Sequence, residues 1–331
     1  MMLRTVSTRT VVTAVVALAV VGSLGLLMWS WVERQRSERA LAAHLEQGKA
    51  YAARVLEPLG TLPAELNESS GLAVSRTQPG VLWSHNDSGA GPVLYAVDQS
   101  GRLLATIPVA NADARDWEDV ASGPCPAGVA VTPDVCLYIA DIGNNDRARE
   151  TLTVYIVVEP MLTGEGQESL TVAARSFRFR YPDQPHDAEA FAVLPNGDAT
   201  IVSKDRTGSI GFFRLSRDGI KRALASGEVL TAEDWGDTGI VPDARIGRLV
   251  TGAAVSPDAK TLAVRTYSEV FFFGAVVADQ GVTRWRDLGR PCFLGNAEPQ
   301  GEAIAYLDEE TLLLTSERAR GRPGVIHRLR C

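Results

Sequence analysis

Ser70-Gly-Leu-Ala73 and, one turn later, Leu82-Trp-Ser-His-Asn86 form a two-part pattern that returns four more times. The first part places a polar residue, a variable one, an apolar one and an alanine or its equivalent. It recurs as Glu118-Asp-Val-Ala121, Glu189-Ala-Phe-Ala192, Thr251-Gly-Ala-Ala254 and Glu302-Ala-Ile-Ala305. The second part is an apolar run closing on a polar or charged residue. It recurs as Leu137-Tyr-Ile-Ala-Asp141, Thr200-Ile-Val-Ser-Lys204, Thr261-Leu-Ala-Val-Arg265 and Leu313-Leu-Thr-Ser-Glu317. A third apolar run follows in each unit: Val93–Val97, Leu152–Val158, Gly211–Leu215, Val270–Ala275 and Val325–Leu329. Four units have room for a fourth strand, such as Leu103–Pro108 and Ser176–Tyr181.

Short apolar runs split by Gly, Asn, Asp and Pro turns are all-β punctuation. Positions 70, 118, 189, 251 and 302 lie 48, 71, 62 and 51 residues apart. A three- or four-stranded antiparallel unit repeated at such intervals is a propeller blade. The expected fold is therefore an all-β propeller of five blades, with room for a sixth in the long second or third interval. The last unit stops after three strands. Its missing outer strand is expected from Arg54–Leu62, which would close the ring and cover a free sheet edge.

Upstream, Val11 to Val32 is a run of 22 residues without a charge, flanked by Arg4 and Arg9 and ending near Trp29 and Trp31. A helix of that length spans roughly 30 Å of hydrocarbon. A cleavable signal peptide is the rival reading, but no small-residue cleavage site follows. The expected domains are a cytoplasmic 1–10, a transmembrane signal anchor at 11–32, a charged helical stalk at 33–53 and a propeller at 54–331. Orientation rests on the cysteines. Cys125 and Cys136 flank a Pro/Gly-rich turn, and Cys292 and Cys331 lie near the end. No pair has zinc or thioredoxin spacing. The expected disulfides, Cys125–Cys136 and Cys292–Cys331, require an oxidising compartment, which places the propeller outside the cytoplasm. Four free thiols are the alternative. The net charge of −7 argues against a nucleic-acid partner. The membrane is the expected partner through 11–32, together with a small anionic ligand or an envelope component. Oligomerisation is not indicated.

Equivalent positions in successive blades form rings about the tunnel. One ring is Ser70, Glu118, Glu189, Thr251 and Glu302. Two residues earlier lie Glu68, Asp116, Asp187 and Gln300 on the same strand face. The second strands end in Asn86, Asp141, Lys204, Arg265 and Glu317, with Asp87, Asn144 and Asn145 close by. So many carboxylates near one axis repel unless protons or a cation neutralise them. Donors that are all oxygen suit Ca²⁺ or Mg²⁺ better than zinc. Lys204 and Arg265 are candidates to pair with neighbouring glutamates or to hold an anion. His186 stands beside Asp187 and Glu189, where a general acid/base role makes chemical sense. The bland reading of these charges is that they stitch blades together or shape turns. Neither a nucleophile elbow, a P-loop nor a dinucleotide fingerprint occurs.

Glu68-Ser-Ser-Gly-Leu-Ala, Val81-Leu-Trp-Ser-His-Asn-Asp-Ser-Gly89, Asp116-Trp-Glu-Asp-Val-Ala121 and Tyr138-Ile-Ala-Asp-Ile-Gly-Asn144 resemble a group of bacterial exported propellers. That group is similar to the esterase-like phytase, NHL and SMP-30-type propellers, and the resemblance spans Glu65 to Glu317. It implies calcium in the tunnel and hydrolysis of phosphoesters, esters or lactones, or ligand binding alone. The metal-side residues it implies are Glu68, Asn86, Asp87, Glu118, Asp141 and Glu189, to which the ring adds Glu302. Ser70 and Thr251 stand where the other units offer carboxylate. Lys204 and Arg265 end two second strands, so the site is expected to be polarised rather than symmetrical. Two functions follow. As a hydrolase, Glu118, Asp141 and Glu189 would hold the metal or act as base, and Lys204 and Arg265 would stabilise an anionic transition state. As a binding module, the same carboxylates would be structural or calcium-stabilised. Converging free groups in a deep pocket would favour the first, and a plugged tunnel with paired groups the second.

Overall fold

The computed structural model describes residues 8–129, 134–162, 170–277, 283–289, 291–295 and 297–331, without the side chains of 8–22, 24, 25, 44 and 283. The chain divides into two units, Met1–Gln47 and Gly48–Cys331. A helix runs over Thr8–Val55 and supplies the described part of the first unit.

Among the described residues, no helix is long and apolar enough to cross a membrane. This corrects the expectation of a single-pass membrane protein anchored at 11–32. A span needs about 20 consecutive apolar residues. The described side chains are apolar over Leu26–Trp29 and Trp31–Val32, and charge begins at once with Glu33, Arg34 and Arg36. The side chains of 11–22 lie outside the described residues.

The second unit is a five-bladed propeller. From the axis outward, blade one is Ser69–Val74, Val81–Asn86, Val93–Asp98 and Leu103–Ala110. Blade two is Trp117–Pro124, Val135–Asp141, Leu152–Val158 and Arg175–Arg180. Blade three is Ala188–Val193, Ala199–Ser203, Gly211–Leu215 and Glu233–Asp237. Blade four is Val250–Val255, Thr261–Thr266, Glu269–Val277 and Thr283–Asp287. Blade five is Gln300–Tyr306, Leu312–Glu317, Val325–Leu329 and, from the other end of the chain, Leu56–Thr61. That last strand pairs antiparallel with Val325–Leu329, from Leu56 opposite Leu329 to Thr61 opposite Val325.

Among the described residues, the long intervals hold no sixth blade. The third contains a helix, Arg217–Ser226, inside blade three. Ser216 caps it by accepting the amide of Gly219, and Gly227 ends it in the left-handed conformation. This helix is too short for its pattern to stand out among strands. The second interval is taken up by connections, including Val172–Ala173, which pairs parallel with Leu103–Ala110.

The apolar core is split into five clusters, one in each seam between neighbouring blades. Each sheet is covered on both faces, so successive side chains of a strand enter different seams. Leu137 and Ile139 pack toward blade one, whereas Cys136, Tyr138 and Ala140 pack toward blade three. This is why the second strands read as unbroken apolar runs. The inner strands crowd one another. A Cβ on Gly71 would lie 2.5 Å from the amide nitrogen of Val120, and one on Gly252 would lie 3.0 Å from the carbonyl oxygen of Glu302.

Both expected disulfides are present. Cys125–Cys136 ties the exit of blade two's inner strand to its second strand. Cys292–Cys331 ties the last residue to blade four.

Candidate functional site

All five inner strands slip register at the ring position. Pairing skips Ser70, Glu118, Glu189 and Thr251, and in blade five it skips Glu302 with Ala303. A bulge leaves a residue outside the ladder and re-aims its side chain. The repeat's polar first residue therefore marks a bulge in every blade.

The five bulges do different work. Ser70 Oγ donates to the Glu118 carbonyl at 2.9 Å, and Thr251 Oγ1 donates to the Glu302 carbonyl at 2.9 Å. These hydroxyls bind neighbouring blades together. Glu118, Glu189 and Glu302 are buried carboxyls at the tunnel mouth.

Among the described residues, Asp87, Asp116 and Glu118 form an acidic group with one oxygen of each within 4.8 Å of the others. Asp87 follows blade one's second strand, and Asp116 leads into blade two's inner strand. Gly143 permits the approach: a Cβ there would lie 2.2 Å from Glu118 Oε1 and 2.3 Å from Asp116 Oδ2. Burial, then Asp87, push Asp116 up to about 6. Burial, Glu189, Asp87 and Asp116 raise Glu118 well above the usual carboxylate range. Such a set is short of positive charge, and its donors are all oxygen. Both features fit a hard divalent cation.

Across the mouth, Lys204 Nζ donates to Glu189 Oε1 and, at 3.3 Å, to the Tyr267 hydroxyl. Burial works against the Lys204 charge, but Glu189, Tyr267 and Glu302 outweigh it and hold the ammonium charged. Beyond it, Gln300 Nε2 donates to Glu302 Oε1 at 2.9 Å and to Glu317 Oε2 at 2.7 Å. Burial, and then Asp87 and Glu68, push Glu317 up to about 7. Tyr267 and Gln300 also line an open cavity of about 400 Å³, with Arg245 and Arg320 among its walls.

Other residues expected at the site are engaged elsewhere. Arg265 is fully buried and donates to the carbonyls of Ala303 and Thr315 and to Glu298, which ties blade four to blade five. Asp141 is ion-paired to Arg149 at 2.7 Å, both side chains buried. Asn86 accepts the Glu68 amide and donates to the Glu65 carbonyl, fixing that loop. Glu68 is exposed. His186 lies between Asp183, at 3.1 Å, and Asp205, at 3.5 Å. Asp205, with Asp183, raises its pKa despite burial. The structure thus gathers Asp87, Asp116 and Glu118 on one side of the mouth and Glu189, Lys204 and Glu302 on the other.

Asp119 is the residue that sequence reasoning missed. Its buried carboxylate accepts amides from Phe191 in blade three at 2.9 Å, Ala253 in blade four at 3.3 Å and its own neighbour Val120 at 2.8 Å. Burial raises its pKa well above the usual carboxylate range, and these bonds oppose the rise. It plugs the tunnel. The second position of the repeat reads Gly71, Asp119, Ala190, Gly252 and Ala303, so the lone polar residue among small ones was the available signal. Further along the same strands, Ala73, Ala121, Ala192, Ala254 and Ala305 line a cavity of about 340 Å³ that opens at the other end.

No family model matches the chain, and no curated protein matches it. Among solved structures, it is similar to the PQQ-bound aldose sugar dehydrogenase of Streptomyces coelicolor. The identity is 11% and the TM-score 0.46, over 83% of this chain and 97% of that one. It is also similar to a calcium-binding regucalcin of Agrobacterium tumefaciens. There the identity is 13% and the TM-score 0.40, over 82% of this chain and 93% of that one. Likeness at this level carries no argument about activity. The sequence resemblance narrows to the propeller group, and the fold rests on the strand pairing described above.

Proposed function

We propose that the tunnel mouth holds one divalent cation of the calcium or magnesium kind at Asp87, Asp116 and Glu118, and that this cation captures an anionic oxygen ligand. The observation that carries the reading is the convergence of three carboxylates from two blades within 4.8 Å. None of the three is a basic side chain, and burial first, then the neighbouring carboxylates, raise the pKa of Asp116 and of Glu118 against the pull of Arg149 and Lys204. A bound cation relieves the repulsion among the carboxylates.

The plugged tunnel and the engagement of Lys204 and Arg265 favour ligand capture over a site with free cationic groups. One observation supports hydrolysis of a captured ester or phosphoester as a second reading: a buried oxygen of Glu302 has no hydrogen-bond partner among the described residues. Thermal melting of the full chain tests the first reading. Calcium or magnesium should raise the melting temperature of the wild type and leave Asp116→Asn and Glu118→Gln unmoved. An equal shift in all three proteins would remove the cation from this site.

A further inference from the structure

The far end of the tunnel is a blind chamber. Ala73, Ala121, Ala192, Ala254 and Ala305, one from each blade, leave a cavity of about 340 Å³ there. Asp119 closes it toward the mouth through its bonds to Phe191 and Ala253. From Leu72 to Ser75 the wall runs roughly 10 Å at the rise of an extended chain. The volume falls at the lower end of the range for small-molecule pockets. Among the described residues that line it, Arg76 alone is charged. No hydrogen bond or ion pair among the described residues engages its guanidinium. Arg76 is exposed at the rim, yet packed closely enough that burial lowers its pKa, with Glu159 opposing. Glu159 instead accepts the Trp83 indole N–H at 2.8 Å. The turn that carries Arg76 is held on both sides. Ser75 Oγ accepts the amides of Thr77 and Gln78, and the Gln78 side chain bonds to the backbone of Pro160 and Leu162 beyond blade two's third strand. Ser122, also in the lining, has a buried hydroxyl without a partner among the described residues. Such a hydroxyl is costly unless something else supplies a partner.

We propose that this chamber binds a medium-chain aliphatic carboxylate, with its tail toward the closed end and its head on Arg76. The site is separate from the cation site, because Asp119 closes the tunnel between them. The small side chains of five blades leave room along the axis for an unbranched chain. An alkyl tail gains by taking the place of water against such walls. At the rim one placed guanidinium, with no partner of its own, matches one carboxylate, which it can grip through two parallel N–H donors. The rest of the lining offers no second cation for a head of higher charge. It also offers no carboxylate to repel the anion, in a chain whose net charge is −7.

The test is titration calorimetry of the full chain, without calcium, against octanoate, octanol and acetate. Octanoate should bind at one site. Octanol, which lacks the charge, and acetate, which lacks the tail, should each bind at least about tenfold more weakly. Arg76→Gln should weaken octanoate about tenfold and leave octanol unchanged. Ala254 is half-buried on the chamber wall, so Ala254→Leu puts its added bulk into the cavity. That variant should keep the wild-type melting temperature and lose octanoate binding. Ala121→Leu repeats the block from blade two if the first variant does not fold. No octanoate binding by the wild type at millimolar concentration would overturn the proposal, as it would if Arg76 closed on Glu159 in solution. Equal octanoate affinity in the wild type and Arg76→Gln would remove the head group from the rim. Octanoate binding that survives in a folded Ala254→Leu or Ala121→Leu would place the tail outside the chamber, on a surface such as the exposed Leu26–Trp29.

Discussion

The carboxylate of Asp119 accepts the amide of Phe191, 72 residues further along the chain, at 2.9 Å. The bond joins the inner strand of blade two to that of blade three, and the same oxygen reaches Ala253 in blade four. Asp119→Ala would leave the amides of Phe191 and Ala253 without their acceptor in a water-poor tunnel. The expected loss is on the order of 3 kcal/mol. Asp119→Asn should recover part of it, because one carbonyl oxygen remains. A urea midpoint unchanged in Asp119→Ala would show that the plug is idle.

Gly143→Ala addresses the cation site without altering any carboxylate. The added methyl would sit 2.2 Å from Glu118 Oε1 and 2.3 Å from Asp116 Oδ2, so both oxygens must move. Calcium affinity, read from the dependence of the melting temperature on calcium concentration, should fall at least about tenfold, which is 1.4 kcal/mol at 25 °C. Wild-type affinity in this variant would place the cation elsewhere.

The mouth carboxyls link stability to pH. Burial is the largest cause of a rise in each: Asp116 reaches about 6, Glu302 and Glu317 about 7, and Glu189 about 8. In an unfolded chain such groups titrate near pH 4. Between roughly pH 4 and 8 the cation-free folded state therefore binds more protons than the unfolded one. Their contribution is full below about pH 4 and is lost as pH rises through the folded values. A cation competes with those protons. The melting-temperature gain from calcium should widen from pH 5 to pH 8, and a gain that is flat across that range contradicts the assignment.

Cys292–Cys331 fastens the last residue to blade four across a separation of 39 residues. Replacing both cysteines with serine should cost about 2–4 kcal/mol. Amide exchange should show the loss concentrated in Leu56–Thr61 and Val325–Leu329, the closing strands beside it. Uniform loss of protection through all five blades would mean that the bridge acts on the whole ring at once.

The blades were legible because strand packing writes itself into short-range pattern. Apolar runs between turns, and a bulge motif at Ser70, Glu118, Glu189, Thr251 and Glu302, are both local. Ring closure by Leu56–Thr61 followed from the strand missing in the last unit. Partner choice was less legible. Lys204 and Arg265 hold the same position in adjacent units, yet one meets Glu189 at the mouth and the other Glu298 between blades. Nothing local distinguishes them: Lys204 pairs within its own blade, whereas Arg265 reaches across the seam to the next one. Gly143 carried no signal in the sequence, because Asp116 and Glu118, the carboxylates it admits, are distant from it along the chain. The 11–32 run suggested a membrane span by composition, and the described helix does not provide one.

Blade five draws its outer strand from Leu56–Thr61 and its neighbour from Val325–Leu329. During synthesis the first of these leaves the ribosome long before the second exists. Its backbone donors must wait, solvated or transiently paired, while four blades assemble beside it. The ring therefore shuts late, as one event after Val325–Leu329 has been made. Until then the nascent chain carries two unpaired sheet edges that invite association with other chains.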